Sequence, residues 1–210
     1  MSGRIIETAA DLGEGADWLA AREPRFAEAL EVVGPLPLRR RPEGFAQLLW
    51  VIVGQQVSTA SAAAIWARVQ AAGLTDPARV ATAEDDTLRA AGLSRQKARY
   101  ARALAEAGID FEALRDLPDE AVVARLTEVP GIGRWTAEIY AMFSLGRADV
   151  FAPGDLALQE AVRGLFGLEA RPREAALRRM AADWSPWRGV AARLLWAYYR
   201  VATNREGIRS

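Results

Sequence analysis

Apolar residues recur at helical spacing along nearly the whole chain, in runs such as AQLLWVIVG, EAVVARL and ARLLWAYYR, and the intervals between them are marked by Gly, Pro and Asp. Alternating patterns that would make strands are nearly absent, so the chain is expected to be all-α. Phe45, Leu48, Leu49 and Ile52 form one helix face. Gly54 weakens that helix before Ser58 can cap a second one running through SAAAIWARV, which leaves Gln55 and Gln56 at a helix junction. Asp76-Pro77 reads as a cap followed by proline at the first helical position, and Ser94 can start SRQKARYARALAEAG. Pro118 begins a helix through Leu126, the turn VPGIG follows, and Arg134 to Leu145 makes the next helix, with Gly146 at its C-terminal end. Further helices are expected from Asp155 to about Phe166, through ALRRMAADW and through VAARLLWAYYRVA.

With 210 residues, 51% of them hydrophobic, the chain can bury a large core without staples. Composition restricts its chemistry sharply. There is no cysteine and no histidine, which excludes disulfides, thiolate-held clusters and zinc-thiolate sites, and removes the commonest general base. Lys97 is the single lysine among 27 cationic side chains, so a Schiff-base mechanism would have only that amine or the chain terminus to draw on. Carboxylates, aromatics and backbone must carry any reaction. Formal net charge is zero, against a highly basic binder of nucleic acid, although residues 171 to 200 carry seven Arg against Glu174 and Asp183. The run Arg39, Arg40, Arg41 reads first as solvated surface. FAQLLWVIVG is too short to cross a bilayer, and MSGRIIETAADLGEG lacks the apolar core of a signal peptide, so no membrane partner and a cytoplasmic location are expected.

The stretch VPGIGRWTA can build an anion site. Pro130 fixes one dihedral, while Gly131 and Gly133 permit conformations closed to other residues, so successive backbone N–H groups can be presented just before a helix N-terminus. Val129 and Ile132 would anchor the turn, and Arg134 and Thr136 can add phosphate contacts. A bare P-G-x-G more often makes only a tight connection between packed helices. Twenty residues after Trp135 comes Asp155, placed by Pro153-Gly154 at a helix start, where it can cap and be held ionised by the positive end of the dipole.

The whole segment LTEVPGIGRWTAEIYAMFSLGRADVFAPGDLALQEA resembles the helix-hairpin-helix glycosylase superfamily, in which a [LV]PG[IV]G hairpin is followed by a helix, a Gly/Pro/Asp loop and an essential aspartate. RWTA is similar to the DNA-3-methyladenine glycosylase II branch, with tryptophan where lyase relatives carry a Schiff-base lysine. LLWVIVGQQVSTASAAAIWARV, GLSRQKARYARALA and WSPWRGVAARLLW extend the likeness to roughly residues 20 to 200. The resemblance implies a two-lobed helical fold with a DNA-binding cleft between the lobes. One lobe would be formed by both chain ends (1–42 and 147–210), and the central one by 43–146, with the helix-hairpin-helix at 118–145.

The same resemblance assigns roles. Asp155 would be catalytic, and Trp135, Trp196 and Ile139 would line the base pocket, Ile139 standing where an aromatic is frequent. Tyr140, about 100° around the helix, is not placed to replace that aromatic. Gln56 would fill the hole left by a flipped nucleotide, beside Ser58 on the DNA face, while Gly131, Gly133, Arg134 and Thr136 would hold the backbone. Gly154 replaces a frequent acid, which would leave Asp155 without an acidic neighbour. Implied are double-stranded DNA with alkylated bases as partner, a monomer, and no resident cofactor, with a monovalent cation at the hairpin left open. The activity would be hydrolytic excision of alkylated purines in base excision repair, without lyase activity. Its rivals are a glycosylase for deaminated bases and a non-catalytic module that binds damaged DNA.

Overall fold

The computed structural model describes residues 3–207, with side chains through Thr203. Twelve α-helices and two short 3₁₀ turns occupy these residues, and their only paired extended backbone is an isolated antiparallel bridge between Ile5 and Arg147. The chain divides into two units: a central one in sequence, residues 41–140, and a terminal one made of residues 3–40 and 141–207. The second boundary lies inside a helix, six residues before the expected one at 146.

The central unit contains α3 (Phe45–Gly54), α4 (Thr59–Ala71), α5 (Pro77–Thr82), α6 (Asp85–Ala90), α7 (Arg95–Glu106), α8 (Asp119–Thr127) and the first seven residues of α9 (Arg134–Phe143). The caps read from the sequence form. Oγ of Ser58 accepts the Ser61 N–H at 3.2 Å, Oδ1 of Asp76 the Ala78 N–H at 2.9 Å, and Oγ of Ser94 the Lys97 N–H at 3.3 Å. Pro77 stands at the start of α5, where its missing N–H costs nothing. Pro118 is the cap of α8 rather than its first residue. Helix α7 packs against α3, α5 and α6, and Leu48, Leu49, Ile52, Val80, Leu88, Ala101, Leu104 and Leu126 are buried in the core of this unit.

The terminal unit holds α1 (Ala9–Arg22), α2 (Pro24–Val33), the end of α9, α10 (Leu156–Leu165), α11 (Glu174–Met180) and α12 (Arg188–Gly207). Helices α1, α2 and α10 all pack on α12. Phe26, Phe151 and Phe166 surround the Trp184 ring at centroid distances of 5.2, 5.5 and 6.0 Å, the first two edge-on. Two close approaches require glycine here. A Cβ on Gly15 would lie 2.6 Å from the Trp187 ring, and one on Gly189 would lie 2.8 Å from the Ala148 carbonyl oxygen. The N-terminal segment is tied to the chain after α9, with Ile6 N–H donating to Gly146 C=O (2.7 Å) and Ala148 N–H to Arg4 C=O (2.9 Å). Helix α9 ends two residues before the expected Leu145, and Gly146 takes φ +75° in the turn that follows.

Candidate active site

The hairpin lies in the central unit. After α8, the Val129 N–H donates to Leu126 C=O (3.2 Å) and the Ile132 N–H to Val129 C=O (3.0 Å), which turns the chain into α9. Val129 and Ile132 are buried, as anchors should be. The two glycines turn out to differ. Gly131 has φ +94°, and a Cβ there would come within 2.6 Å of Tyr100 Cδ2. Gly133 lies outside the positive-φ region and has nothing within 4 Å of where its Cβ would stand. Of the two, Gly131 is the one that uses a conformation closed to other residues. The N–H groups opening α9 have no acceptor within their own helix and sit at its positive end, which suits an anion.

Side chains at the start of α9 are engaged within the protein. Arg134 donates from Nε to Glu138 Oε1 at 2.9 Å and from Nη2 to Glu120 Oε2 at 3.0 Å, so its guanidinium is already held by two carboxylates. Thr136 is only 6% exposed. Trp135 is 45% exposed, whereas Ile139 is buried. Tyr140 is buried too: its hydroxyl accepts the Gly44 N–H at 2.8 Å and its ring leans on Phe111. Burial pushes the Tyr140 phenol up to about 12, against the opposing Gly44 hydrogen bond.

The turn between α3 and α4 presents Gln56 and Ser58 on the surface. Gln56 has φ +55°, the one non-glycine residue in the left-handed region among those described. Gln55 beside it is half-buried, and its Nε2 donates to the Gly131 carbonyl at 3.0 Å. Lys97 Nζ donates to the Val53 carbonyl at 2.7 Å, at the C-terminal end of α3. Partial burial holds its pKa below the usual ammonium range.

In the terminal unit Asp155 caps α10, as expected, with Oδ1 accepting the Leu158 N–H at 3.0 Å. The same oxygen accepts the indole N–H of Trp196 on α12, at 3.1 Å. The loop leading to Asp155 is fixed at both ends. Gln159 Nε2 donates to Pro153 C=O (2.8 Å), and Asp149 receives Arg188 in a bidentate pair (2.9 and 2.8 Å) together with the Ser185 hydroxyl (2.7 Å). Trp196 is half-buried, with the Phe143 ring 5.7 Å away at 34°. Arg193 Cζ sits 4.2 Å from the Phe143 centroid, and its Nη2 donates to Met142 C=O at 2.9 Å, one of the carbonyls ending α9. Burial, aided by repulsion from Arg40 and Arg39, holds this guanidinium down to about 10, still a cation at neutral pH. Beside Gly154, Glu174 Oε2 on α11 stands 3.4 Å from where a Cβ would be.

Sequence reasoning missed the roles of Gln55, Phe143, Arg193 and Glu174, because each depends on a partner remote in the chain. Lys97 was singled out, but as an amine; its ammonium is engaged by a backbone carbonyl.

A family model described as HhH-GPD superfamily base excision DNA repair protein matches residues 49–186. The structure is similar to the crystal structure of a DNA-3-methyladenine glycosidase from Bacillus halodurans (TM-score 0.83, 33% identity, 90% of this chain and 91% of that one). It is also similar to a Schizosaccharomyces pombe 3-methyladenine DNA glycosylase in complex with abasic DNA (TM-score 0.75, 27% identity, 87% and 95% covered). Among curated proteins, DNA-3-methyladenine glycosylase 1 of Schizosaccharomyces pombe is 27% identical over 203 residues, covering 91% of this chain and 89% of its own. With a hairpin, a capping aspartate and a helical fold all of one kind, and more than half its length matched, the chain belongs to the HhH-GPD superfamily of base excision DNA repair proteins.

Proposed function

We propose that this protein is a monofunctional DNA glycosylase that extrudes alkylated purines of the 3-methyladenine type from double-stranded DNA and hydrolyses their N-glycosidic bond. The observation that carries this reading is the Asp155 carboxylate, fixed at the start of α10 by a backbone N–H and by the Trp196 indole. A carboxylate so held suits the positive charge that develops on the sugar as the bond to the base breaks. An N3-methylated adenine already carries a positive charge. The C1′–N bond therefore breaks with its electron pair leaving on the base, which becomes neutral without receiving a proton. Water then bonds to C1′ and releases its proton to solvent. A general acid is not required, which fits a chain without histidine. Trp135 and Trp196 supply aromatic faces for an electron-poor ring, and extrusion makes the bond accessible. The engagement of Lys97 with Val53 supports hydrolysis without a covalent adduct.

Single-turnover release from oligonucleotides carrying N3-methyladenine, N7-methylguanine or hypoxanthine tests this reading. Cationic bases should leave faster, by about tenfold or more, with no borohydride-trapped complex. Comparable rates for hypoxanthine and N3-methyladenine would overturn the cationic-lesion assignment, and a trapped complex lost on Lys97→Ala would overturn the hydrolytic one.

A further inference from the structure

Two segments that the family resemblance places against DNA, the Gln56 turn and the Gly131 hairpin, lie 76 residues apart at their point of contact, and that contact is the Gln55 amide donating to the Gly131 carbonyl at 3.0 Å. A second element touches both. Helix α7 sends Lys97 Nζ to the Val53 carbonyl, three residues before Gln56. One turn further along, Tyr100 fills the space under Gly131 so closely that no Cβ fits there. The Val53 carbonyl is among the last of α3, where carbonyls lack intrahelical donors and a cation is favoured by the helix dipole. Gln56 itself is held at φ +55°, which a non-glycine residue keeps only when its surroundings over-determine it. Both hydrogen bonds fall just before that residue, one on the residue immediately preceding it and one at the end of α3.

We infer that Gln55 and Lys97 are positioning residues that lock the Gln56 turn to the Gly131 hairpin, so that the side chain filling the duplex is held in a register fixed by the backbone grip. This rests on the reading of Gln56 as the residue that replaces a flipped nucleotide. The lock explains why a half-buried glutamine and the sole lysine are spent on main-chain carbonyls. Neither touches the base or the sugar in this assignment; both act through Gln56. Loss of either bond would let the turn relax from its left-handed conformation, and the stack would close behind the extruded base more often.

The test compares N7-methylguanine paired with cytosine and the same lesion opposite an abasic site, where little stacking has to be replaced. Gln55→Ala and Lys97→Met should slow single-turnover excision of the paired lesion by about tenfold while changing the unpaired one by less than about twofold. Lys97→Arg, which keeps a cationic donor, should restore most of the rate. Gln55→Glu keeps the size and removes the donor, and should behave as Gln55→Ala. Added to Gln56→Ala, the Gln55→Ala change should have little further effect, because it acts through that residue. Equal slowing on both substrates, or additive losses in the double variant, would overturn the inference and leave Gln55 and Lys97 as general supports of the fold. Wild-type behaviour of Gln56→Ala would instead overturn the assignment of the filling residue itself.

Discussion

The two units hold their candidate functional groups by different means. The central unit works through backbone: a glycine at φ +94°, the N–H groups opening α9, and side-chain amide and ammonium groups spent on carbonyls. The terminal unit works through a relay of side chains, with Arg193 over Phe143, Phe143 beside Trp196, and Trp196 donating to Asp155. A site made from backbone tolerates exchange of nearby side chains but not an added Cβ where φ is positive. A relay of side chains has the opposite weakness, since one changed heteroatom alters the carboxylate proposed to do the chemistry.

The largest effect should come from the relay. Asp155→Asn should reduce single-turnover excision by on the order of 10²-fold or more, about 2.7 kcal/mol, because a neutral amide cannot balance a cationic sugar. Asparagine caps helices as well as aspartate, so the thermal midpoint should hardly move. Near-normal excision by this variant would break the contrast between the units by removing Asp155 from the mechanism.

A smaller loss is expected from the hairpin, of another kind. Gly131→Ala should destabilise the protein by roughly 1–3 kcal/mol, through both the positive φ and the collision with Tyr100, and should weaken binding to any duplex, damaged or not. Gly133→Ala, with open space around it, should leave stability within about 0.5 kcal/mol of the parent. Denaturant midpoints of the two variants decide whether the glycines differ in this way; equal losses would erase the distinction.

The smallest effect separates the units by pH. The Tyr140 phenol is raised to about 12 in the folded protein against an ordinary value of 10.0, so the unfolded chain loses this proton first and stability falls as pH rises between the two. By pH 11 the loss should be on the order of 1 kcal/mol. Arg193, held down to about 10, acts with the opposite sign over that range, since the unfolded chain then binds more protons. The tyrosine contribution must therefore be read as the difference between the parent and Tyr140→Phe across pH 9 to 11. A difference that does not vary with pH would show that the phenol is not desolvated as its burial requires.

Much of the local architecture was legible because the forces that set it act over a few residues. Ser58, Asp76, Ser94 and Asp155 each cap the helix that follows, through bonds to N–H groups two or three positions on. The burial of Thr136 was not legible, since how far a residue in the first turn of α9 is covered depends on what packs against that helix. Nor was the approach of Glu174 to Gly154, which α11 makes from 20 residues away.

The sequence by itself determined an all-α chain, the hairpin and the helix start at Asp155, since spacing, caps and glycine are local properties. It also determined which chemistry was excluded, because residue types that are missing cannot be restored by folding. Only the tertiary structure decided that Trp196 donates to Asp155 across 41 residues, that Gln55 reaches Gly131 across 76, and that Lys97 reaches the Val53 carbonyl. The reason is geometric: a hydrogen bond needs its atoms about 3 Å apart, and for residues on different helices that separation is set by how the helices pack, which no short stretch of sequence encodes.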